Sequence, residues 1–352
     1  MPLRRCWHEL DLLCRIGVGL APIACDLTAL LRRMVGAEAA ALFWLDEFGL
    51  PEGFHHEDSP DSVKDLFLNE FERLFVGERE INVFALAQRQ DQRVGHLLAP
   101  EAGYFKSNTY NLLVRASGHH HSLDLRVDVN GRARAVVLLF RAANRPFSDD
   151  DAAVLLRVAP YLQRAIEISL PPDAWQGLGA QEGHLLLDGS AQRIVLMNDP
   201  ALELLRNAGQ RGMGWHQGAP PETPPPFVQR LLAQPDRPLH LPVPGGVLVA
   251  QMHGMHAPGP GSADLGGGAP QNLLVALSLK RPMRIDVVRR VLSLQLSPLQ
   301  REIALLAGLG HARADCVSQI GVSPEALKKH LRVIFTATGT SDWDGLARAL
   351  SR

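Results

Sequence analysis

The spacing of apolar residues along the first half of the chain predicts helices packed on antiparallel strands. Residues 8–35 repeat apolar side chains at helical intervals on either side of Pro22, so they are predicted to be helical. A strand follows over residues 39–45, with a return strand after a turn, and helical spacing resumes over residues 62–75. Residues 78–103 show no clear period and are expected to form a loop.

A hairpin and a long helix are predicted next. Residues 123–141 alternate around Asn130 and Gly131, a dipeptide typical of a two-residue hairpin turn. Ser148 stands just before three acidic residues and is the predicted N-cap of a helix that runs to about Ile168.

The pattern restarts beyond Pro171 and Pro172, which are interpreted as a domain boundary. A strand, a turn and a second strand lead to a helix that begins at Asn198. Residues 245–253 and 272–279 are predicted to be the last two strands. The Gly/Pro-rich insert between them, residues 256–270, is predicted to be mobile.

Residues 296–352 are predicted to form four short amphipathic helices. Ser297 and Ser323 each stand before a proline as predicted N-caps, and Gly321 occupies the turn between the second and third helices. The fold class that these patterns predict is α+β, with antiparallel sheets followed by an all-α four-helix domain. Residues 281–295 are interpreted as a helical connector whose apolar stripe serves as a dimer contact.

The third of these helices, predicted over residues 324–337, has two contrasting faces. The cations are Lys328, Lys329 and Arg332, and the apolar residues opposite them are Leu327, Leu331, Ile334 and Phe335. Phosphates require cations and guanine edges require hydrogen-bond donors, so this helix is suited to the major groove of double-stranded DNA. A face of solvated surface charges is the alternative interpretation.

The distribution of charge along the chain favours DNA binding over the interpretation of these cations as solvated surface charges. Residues 281–352 carry 11 Lys and Arg against 6 Asp and Glu, a net charge of +5. The whole chain has a net charge of −1, so residues 1–280 carry −6. Only the C-terminal part is therefore expected to meet phosphate.

The residues of this C-terminal part resemble the LuxR-type helix-turn-helix of bacterial transcription regulators. The likeness rests on the LSP opening, the Gly321-Val322-Ser323 turn, Lys328 and the residues around Gly339 and Leu346. It implies that Lys328, Lys329 and Arg332 face the groove and that Ser323 lies near a phosphate. The candidate DNA-binding residues are Ser323, Glu325, Lys328, Lys329, His330 and Arg332.

Two further likenesses concern the N-terminal part. The element pattern closing on LLFRAANRPFSDDDAAVLLRVAPYLQRAIE resembles the GAF family of sensory domains, and the strands leading to Asn198 resemble the opening of a PAS domain. The predicted domains are a GAF-like domain (1–170), a PAS-like domain (173–280), the connector (281–295) and the helix-turn-helix domain (296–352).

Candidate chemistry elsewhere is sparse. No nucleophile, phosphate-binding or metal-ligand motif is present, so no enzyme, cofactor or metal site is expected. His119, His120 and His121 are interpreted as a surface loop, and Phe43, Trp44 and Phe54 as core. Four cysteines without a spaced framework, and no signal-like or membrane-spanning run, predict a cytoplasmic protein.

The sequence thus predicts a homodimeric, signal-responsive transcription regulator that binds double-stranded DNA and an unidentified small-molecule ligand. Two alternatives remain open. The N-terminal part could be an acyl-homoserine-lactone receptor, although the Pro171-Pro172 boundary suggests two modules. The chain could also be a sensory or interaction protein whose helix-turn-helix no longer binds DNA, which Glu325 and Ala314 favour because they depart from the family pattern.

Overall fold

A computed structural model describes residues 3–57, 60–168, 175–208, 221–255 and 272–351. Two antiparallel sheets with flanking helices are followed by a purely helical C-terminal region. The Pro171-Pro172 boundary and the Gly/Pro-rich insert lie outside the described residues. The division into four domains therefore stays a prediction.

The first sheet has four strands in the order β2-β1-β4-β3. The strands are β1 (Ala39–Leu45), β2 (Pro51–His56), β3 (His121–Val129) and β4 (Arg132–Arg141). The hairpin of β3 and β4 turns at Asn130 and Gly131, whose φ angles of 52° and 77° are the left-handed values that a type I′ turn requires. This predicted hairpin is confirmed.

Helices and short helical turns cover both faces of this sheet. The helices are α1 (Leu3–Cys14), α2 (Leu20–Val35), α3 (Asp61–Asn69), α4 (Phe71–Leu74), α5 (Val83–Gln88), α6 (Asp149–Leu156) and α7 (Ala159–Glu167). Strand β1 is buried along its whole length. Its alternate residues pack against α1, α2, α6 and α7 on one face and against the α3–α5 side on the other.

Three predicted helices are shorter than expected. The segment 8–35 breaks at residues 15–19, where Gly17 and Gly19 have positive φ angles. Pro22 lies in the first turn of α2, where a proline does not disrupt helical hydrogen bonds. The segments 62–75 and 148–168 are each divided between two helices. The predicted loop over residues 78–103 contains α5, which Asn82 caps by accepting a hydrogen bond from Phe84 N.

The second sheet has five strands in the order β6-β5-β9-β8-β7. Its elements are β5 (Trp175–Asp188), β6 (Ile194–Met197), α8 (Asp199–Asn207), α9 (Phe227–Ala233), β7 (Leu239–Val243), β8 (Gly246–Met255) and β9 (Asn272–Pro282). Asn198 caps α8, as predicted. Strand β7 was not predicted because it contains Pro242, which an edge strand tolerates.

Five helices complete the chain. They are α10 (Met283–Ser293), α11 (Pro298–Gly308), α12 (Arg313–Ile320), α13 (Pro324–Thr338) and α14 (Trp343–Ser351). Ser297 caps α11 in a reciprocal capping box with Gln300, as the Ser-Pro pattern predicted for its N-cap. The predicted connector over residues 281–295 corresponds to α10, while residues 281 and 282 still belong to β9.

The apolar stripe of α10 is buried within the same chain, which corrects its interpretation as a dimer contact. Val288 and Val291 are fully buried, and α10 packs against α1, α11 and α14. A single apolar cluster therefore continues from α1 and α2 through α10 into the C-terminal helices. Dimerisation itself stays a prediction.

Candidate functional site

The turn between α12 and α13 determines how α13 is presented. Gly321 ends α12 in the left-handed conformation, with a φ angle of 71°, and its N–H donates to Val317 O at 3.0 Å. Ser323 then caps α13, its hydroxyl accepting from Ala326 N at 3.2 Å, and Pro324 is the first helical residue. The cap predicted at Ser323 is therefore confirmed.

Helix α13 has a buried face and a cationic face. Leu327, Leu331 and Ile334 are buried in the C-terminal core. The side chains of Lys328, Lys329 and Arg332 are exposed on the outer side. Within the part of the chain that the structure describes, no ion pair engages these three cations. They are consequently available to an anionic partner.

The remaining predicted site residues frame this cationic face. Glu325 is exposed in the first turn of α13, and His330 is half-buried between the two faces. Ser323 is exposed at the helix start, where the helix dipole and free N–H groups favour an anion. The structure thus brings all six predicted residues onto one helix and its cap.

A second candidate site is a cavity on the α3–α5 side of the first sheet. Its volume is about 70 Å³ and its walls are mostly apolar. Phe43 and Phe54 line it, with ring centroids 5.5 Å apart, and Phe67 packs on both. Ala41 is the small residue of β1 that lies beside Phe43 at the cavity wall.

Phe43, Trp44 and Phe54 were predicted to be core, and Phe43 and Trp44 are indeed buried in it. Phe43 and Phe54 line the cavity, whereas Trp44 lies on the opposite face of β1 among the helices. Sequence alternation assigns residues to the faces of a strand, but it does not show which face will be completely filled.

Histidine rings form another wall of the cavity. The Phe140 ring stacks on His56 at 5.4 Å and on His119 at 5.5 Å between centroids. Burial lowers the pKa of His56 to about 4, so the ring is neutral at pH 7. His119, His120 and His121 are half-buried and lead into β3, which corrects their interpretation as a surface loop.

Polar groups that the sequence interpretation missed lie at one end of the cavity. The hydroxyls of Tyr104 and Ser122 are buried next to each other. Burial raises the pKa of Tyr104, and its contact with the Ser122 hydroxyl opposes that rise. Ser122 begins an alternating polar series on β3 that could have indicated a polar inner face.

Asp124 continues this polar series on the same face of β3. Its Oδ1 accepts a hydrogen bond from Leu97 N at 2.7 Å, while the buried Oδ2 has no partner among the described residues. Burial raises the pKa of this carboxyl group. Tyr104, Ser122 and Asp124 are therefore three buried polar side chains that lie near one another.

Other features of the described residues add no further site. Cys316 is fully buried in α12, and burial raises the pKa of its thiol. Within the described ranges no cluster of three or more His, Cys, Asp or Glu is arranged to bind a metal ion. None of the described helices combines the length and apolar character needed to span a membrane.

Comparison with known proteins gives little further information. No protein-family model and no curated protein matches the chain. Three solved structures are weakly similar. A phage VqmA–DPO complex is 15% identical, with 49% of this chain and 81% of that chain covered and a TM-score of 0.23. The sensor region of a sensor histidine kinase is 14% identical, with coverages of 45% and 62% and a TM-score of 0.19, and the E. coli DhaR(N)–DhaL complex is 13% identical, with coverages of 79% and 87% and a TM-score of 0.20. The structure defines an α+β protein with two antiparallel sheets and a helical C-terminal region.

Proposed function

We propose that the chain is a DNA-binding transcription regulator of the LuxR type that responds to a signal and carries out no catalysis. The helix-turn-helix is formed by α12 and α13, and α13 is the recognition helix. The observation that carries the proposal is the exposed row of Lys328, Lys329 and Arg332 on a helix whose opposite face is buried. The packed partner helix α12 and the turn at Gly321 hold this cationic face outward, as the entry of a recognition helix into the major groove requires.

Each candidate residue has a distinct role in this proposal. Lys328, Lys329 and Arg332 contact phosphates and base edges in the major groove, and Arg332 has the planar donors that pair with guanine. Ser323 and the adjacent helix start receive a phosphate. Glu325 repels phosphate but can accept a hydrogen bond from a cytosine amino group, so it contributes to base selection.

The two sheets supply the sensory part of the proposal. The first sheet and its cavity belong to a GAF-like module (1–170), and the second sheet belongs to a PAS-like module (173–280). Strand β1 borders the cavity on one face and, on the other, the cluster that links α1 and α2 through α10 to the C-terminal helices. This arrangement offers a physical route by which occupancy of the cavity changes the presentation of α13. A homodimer places two such helices at half-sites about one helical turn apart.

A DNA-binding titration tests this proposal. Binding of the full chain to DNA from upstream of its own gene is measured by fluorescence anisotropy at several salt concentrations, and a selection from genomic fragments provides further sites. The Lys328→Ala/Lys329→Ala/Arg332→Ala variant should bind more weakly. The slope of log K against log salt should fall by up to about three, since each lost phosphate contact removes about one.

The matched control removes the same charge elsewhere. Arg115, Arg230 and Arg237 are exposed residues outside the C-terminal helices, and their triple Ala variant should retain the wild-type affinity and salt slope. Equal weakening of DNA binding in both variants would show that the effect depends only on net charge. If the selection recovers no fragment that wild type binds better than the α13 variant does, the proposal fails and the chain is a sensory or interaction protein.

A further inference from the structure

A cleft lies between the starts of two helices, α1 in the N-terminal part of the chain and α11 in the C-terminal part. Its volume is about 560 Å³, which falls within the range of roughly 300–1,000 Å³ typical of small-molecule sites. Arg4, Arg5 and His8 line it from the first two turns of α1. Pro298 and Arg301 line it from the first turn of α11. The cleft is therefore shared by two distant parts of the chain.

Positive charge around this cleft exceeds the negative charge that balances it. The carboxylate of Glu9 pairs with Arg5 at 3.2 Å and with Arg33 at 3.0 Å. The same carboxylate lies 3.7 Å from the guanidinium of Arg301. No ion pair joins Arg4 to any residue that the structure describes. Four guanidinium groups against one carboxylate leave an excess of three positive charges.

The other acidic groups near the cleft are paired with other arginines. Glu302 of α11 forms an ion pair with Arg15 and lies 4.0 Å from Nδ1 of His8. Asp11 pairs with Arg15 and with Arg164. Burial lowers the pKa of His8, so its ring is neutral at pH 7.5. The ring nevertheless adds a hydrogen-bonding group, because its buried Nε2 has no partner among the described residues.

Arg301 is the most deeply buried of these cations. It is only 2% exposed, and its Nε has no hydrogen-bond partner within the described part of the chain. Its Nη2 donates to the carbonyl oxygens of Leu292 and Leu294, both at a long 3.5 Å. Burial lowers the pKa of Arg301 and the charge of Arg5 lowers it further, whereas Glu9 opposes both. The buried charge is thus incompletely compensated, since only close pairing and good hydrogen bonds offset its desolvation.

The helix starts around the cleft strengthen its preference for an anion. Helix N-termini favour negative charge, yet the first turn of α1 contains Arg4 and Arg5 and no acidic residue. The first turn of α11 also lacks an acidic residue. A doubly charged oxyanion offsets three excess positive charges better than a singly charged carboxylate does. Arginine side chains also match phosphate oxygens with paired N–H donors.

We propose that this cleft binds a small molecule through its phosphate group, with Arg4, Arg5 and Arg301 as the hydrogen-bond donors. Because α1 and α11 both contribute to the site, the bound phosphate stabilises the contact between the N-terminal and C-terminal helices. This inference goes beyond the proposed DNA binding, and the binding of the phosphate is measured without DNA. Failure of one is therefore distinguishable from failure of the other.

Inorganic phosphate is the probe that tests the proposal. Its binding to the full chain is measured by isothermal titration calorimetry at pH 7.5, with sodium chloride holding the ionic strength constant. Phosphate should bind saturably at one site per chain, and acetate should bind at least about tenfold more weakly because it carries a single charge. Phosphate should also raise the midpoint of thermal unfolding, since it binds only the folded chain.

Arg4→Gln is the principal variant, because Arg4 is exposed and has no ion pair to lose among the described residues. It should weaken phosphate binding at least about tenfold, as the loss of a charged hydrogen bond does. Arg115→Gln removes the same charge at an exposed position outside the cleft and should keep the wild-type affinity. Phosphate also stabilises proteins by exclusion from their surface, so the rise in the unfolding midpoint is compared between these two variants.

A second variant tests the buried donor. Arg301→Lys keeps a positive charge beside Glu9 but removes the planar set of N–H donors. It should weaken phosphate binding, and thermal unfolding without phosphate checks that the variant is folded. Unchanged phosphate affinity in a folded Arg301→Lys chain would overturn the site, because the buried guanidinium would then have no part in it.

A phosphate of the DNA backbone is the other source of the same chemistry. If the occupant is a free small molecule, Arg4→Gln should keep the wild-type salt slope of DNA binding. A slope reduced by about one would place a DNA phosphate in the cleft and overturn the assignment to a small molecule. The proposal also fails if phosphate does not bind saturably, if acetate binds equally well, or if Arg115→Gln weakens binding as much as Arg4→Gln.

Discussion

His56 illustrates how burial changes the chemistry of a single side chain. Its ring stacks on Phe140, which also stacks on His119. Burial favours the neutral form of His56, whose pKa falls from 6.5 to about 4. In the unfolded chain the His56 imidazole has the ordinary histidine pKa of about 6.5. This difference makes the stability of the protein sensitive to mild acid.

We expect a His56→Phe variant to lose less stability than wild type as the pH falls from 6.5 to 4. The folded pKa is depressed, so the contribution of His56 is fully present above the unfolded value of about 6.5. It declines as the pH falls through the window towards the folded pKa of about 4. Urea unfolding at half-unit pH steps measures this, and parallel curves for the two proteins would contradict it.

Among the helices, the caps follow local sequence rules most closely. Ser148 and Asp151 form a reciprocal capping box at the start of α6. Asp151 also accepts a hydrogen bond from Arg141 at 3.0 Å. Burial alone would raise the pKa of Asp151, but the hydrogen bonds from Ser148 and Arg141 outweigh it and lower the pKa. The cap thus joins α6 to the first sheet.

Asp151→Asn should destabilise the chain by about 1–2 kcal/mol at pH 7, because it weakens both the cap and the Arg141 ion pair. The stabilising effect of Asp151 is present above its unfolded pKa of about 3.9 and is lost as the pH falls through the lower folded value. The variant should therefore show a shallower loss of stability below pH 4. Asp150→Asn, in the same first turn, is the control. An equal loss in the free energy of unfolding for both variants would refute the role assigned to Asp151 in the cap and the ion pair.

Across the whole molecule, charged residues join the N-terminal helices to the C-terminal ones. Arg301 in α11 is buried, and its guanidinium lies 3.7 Å from the carboxylate of buried Glu9 in α1. Arg5 and Arg33 pair with the same carboxylate from the surface. Arg289 of α10 pairs with Asp26 of α2 at 2.8 Å. These contacts fix the C-terminal helices against α1 and α2.

Glu9→Gln should cost about 3–5 kcal/mol, because it leaves the buried Arg301 charge uncompensated. Arg33→Gln should cost no more than about 1 kcal/mol, since Arg33 can turn into solvent. Glu9→Leu/Arg301→Met should recover much of the stability. Urea unfolding of Glu9→Leu, Arg301→Met and this double variant completes a mutant cycle that measures the coupling, and additive costs would show that the two residues act independently.

Much of the fold was predictable because its signals are local. The hairpin at Asn130 and Gly131, the caps at Ser148, Asn198, Ser297 and Ser323, and the strand over residues 39–45 depend on residues close in sequence. Strand β7 was missed because only its place at the sheet edge makes Pro242 acceptable. Membership of the LuxR, GAF and PAS families stays a prediction.

The two candidate sites also differ in whether the local sequence predicts them. The cationic face of α13 follows from helical periodicity, since residues three and four apart share a face whatever surrounds the helix. The cavity depends on Ala41, Tyr104, Ser122 and Phe140, which are far apart in sequence and meet only when the sheet and its covering helices assemble. The apolar stripe of α10 likewise gave no indication of its partner, because burial is non-directional and any apolar surface satisfies it. Its contact with α1, α11 and α14 was decided by the packing of the complete chain.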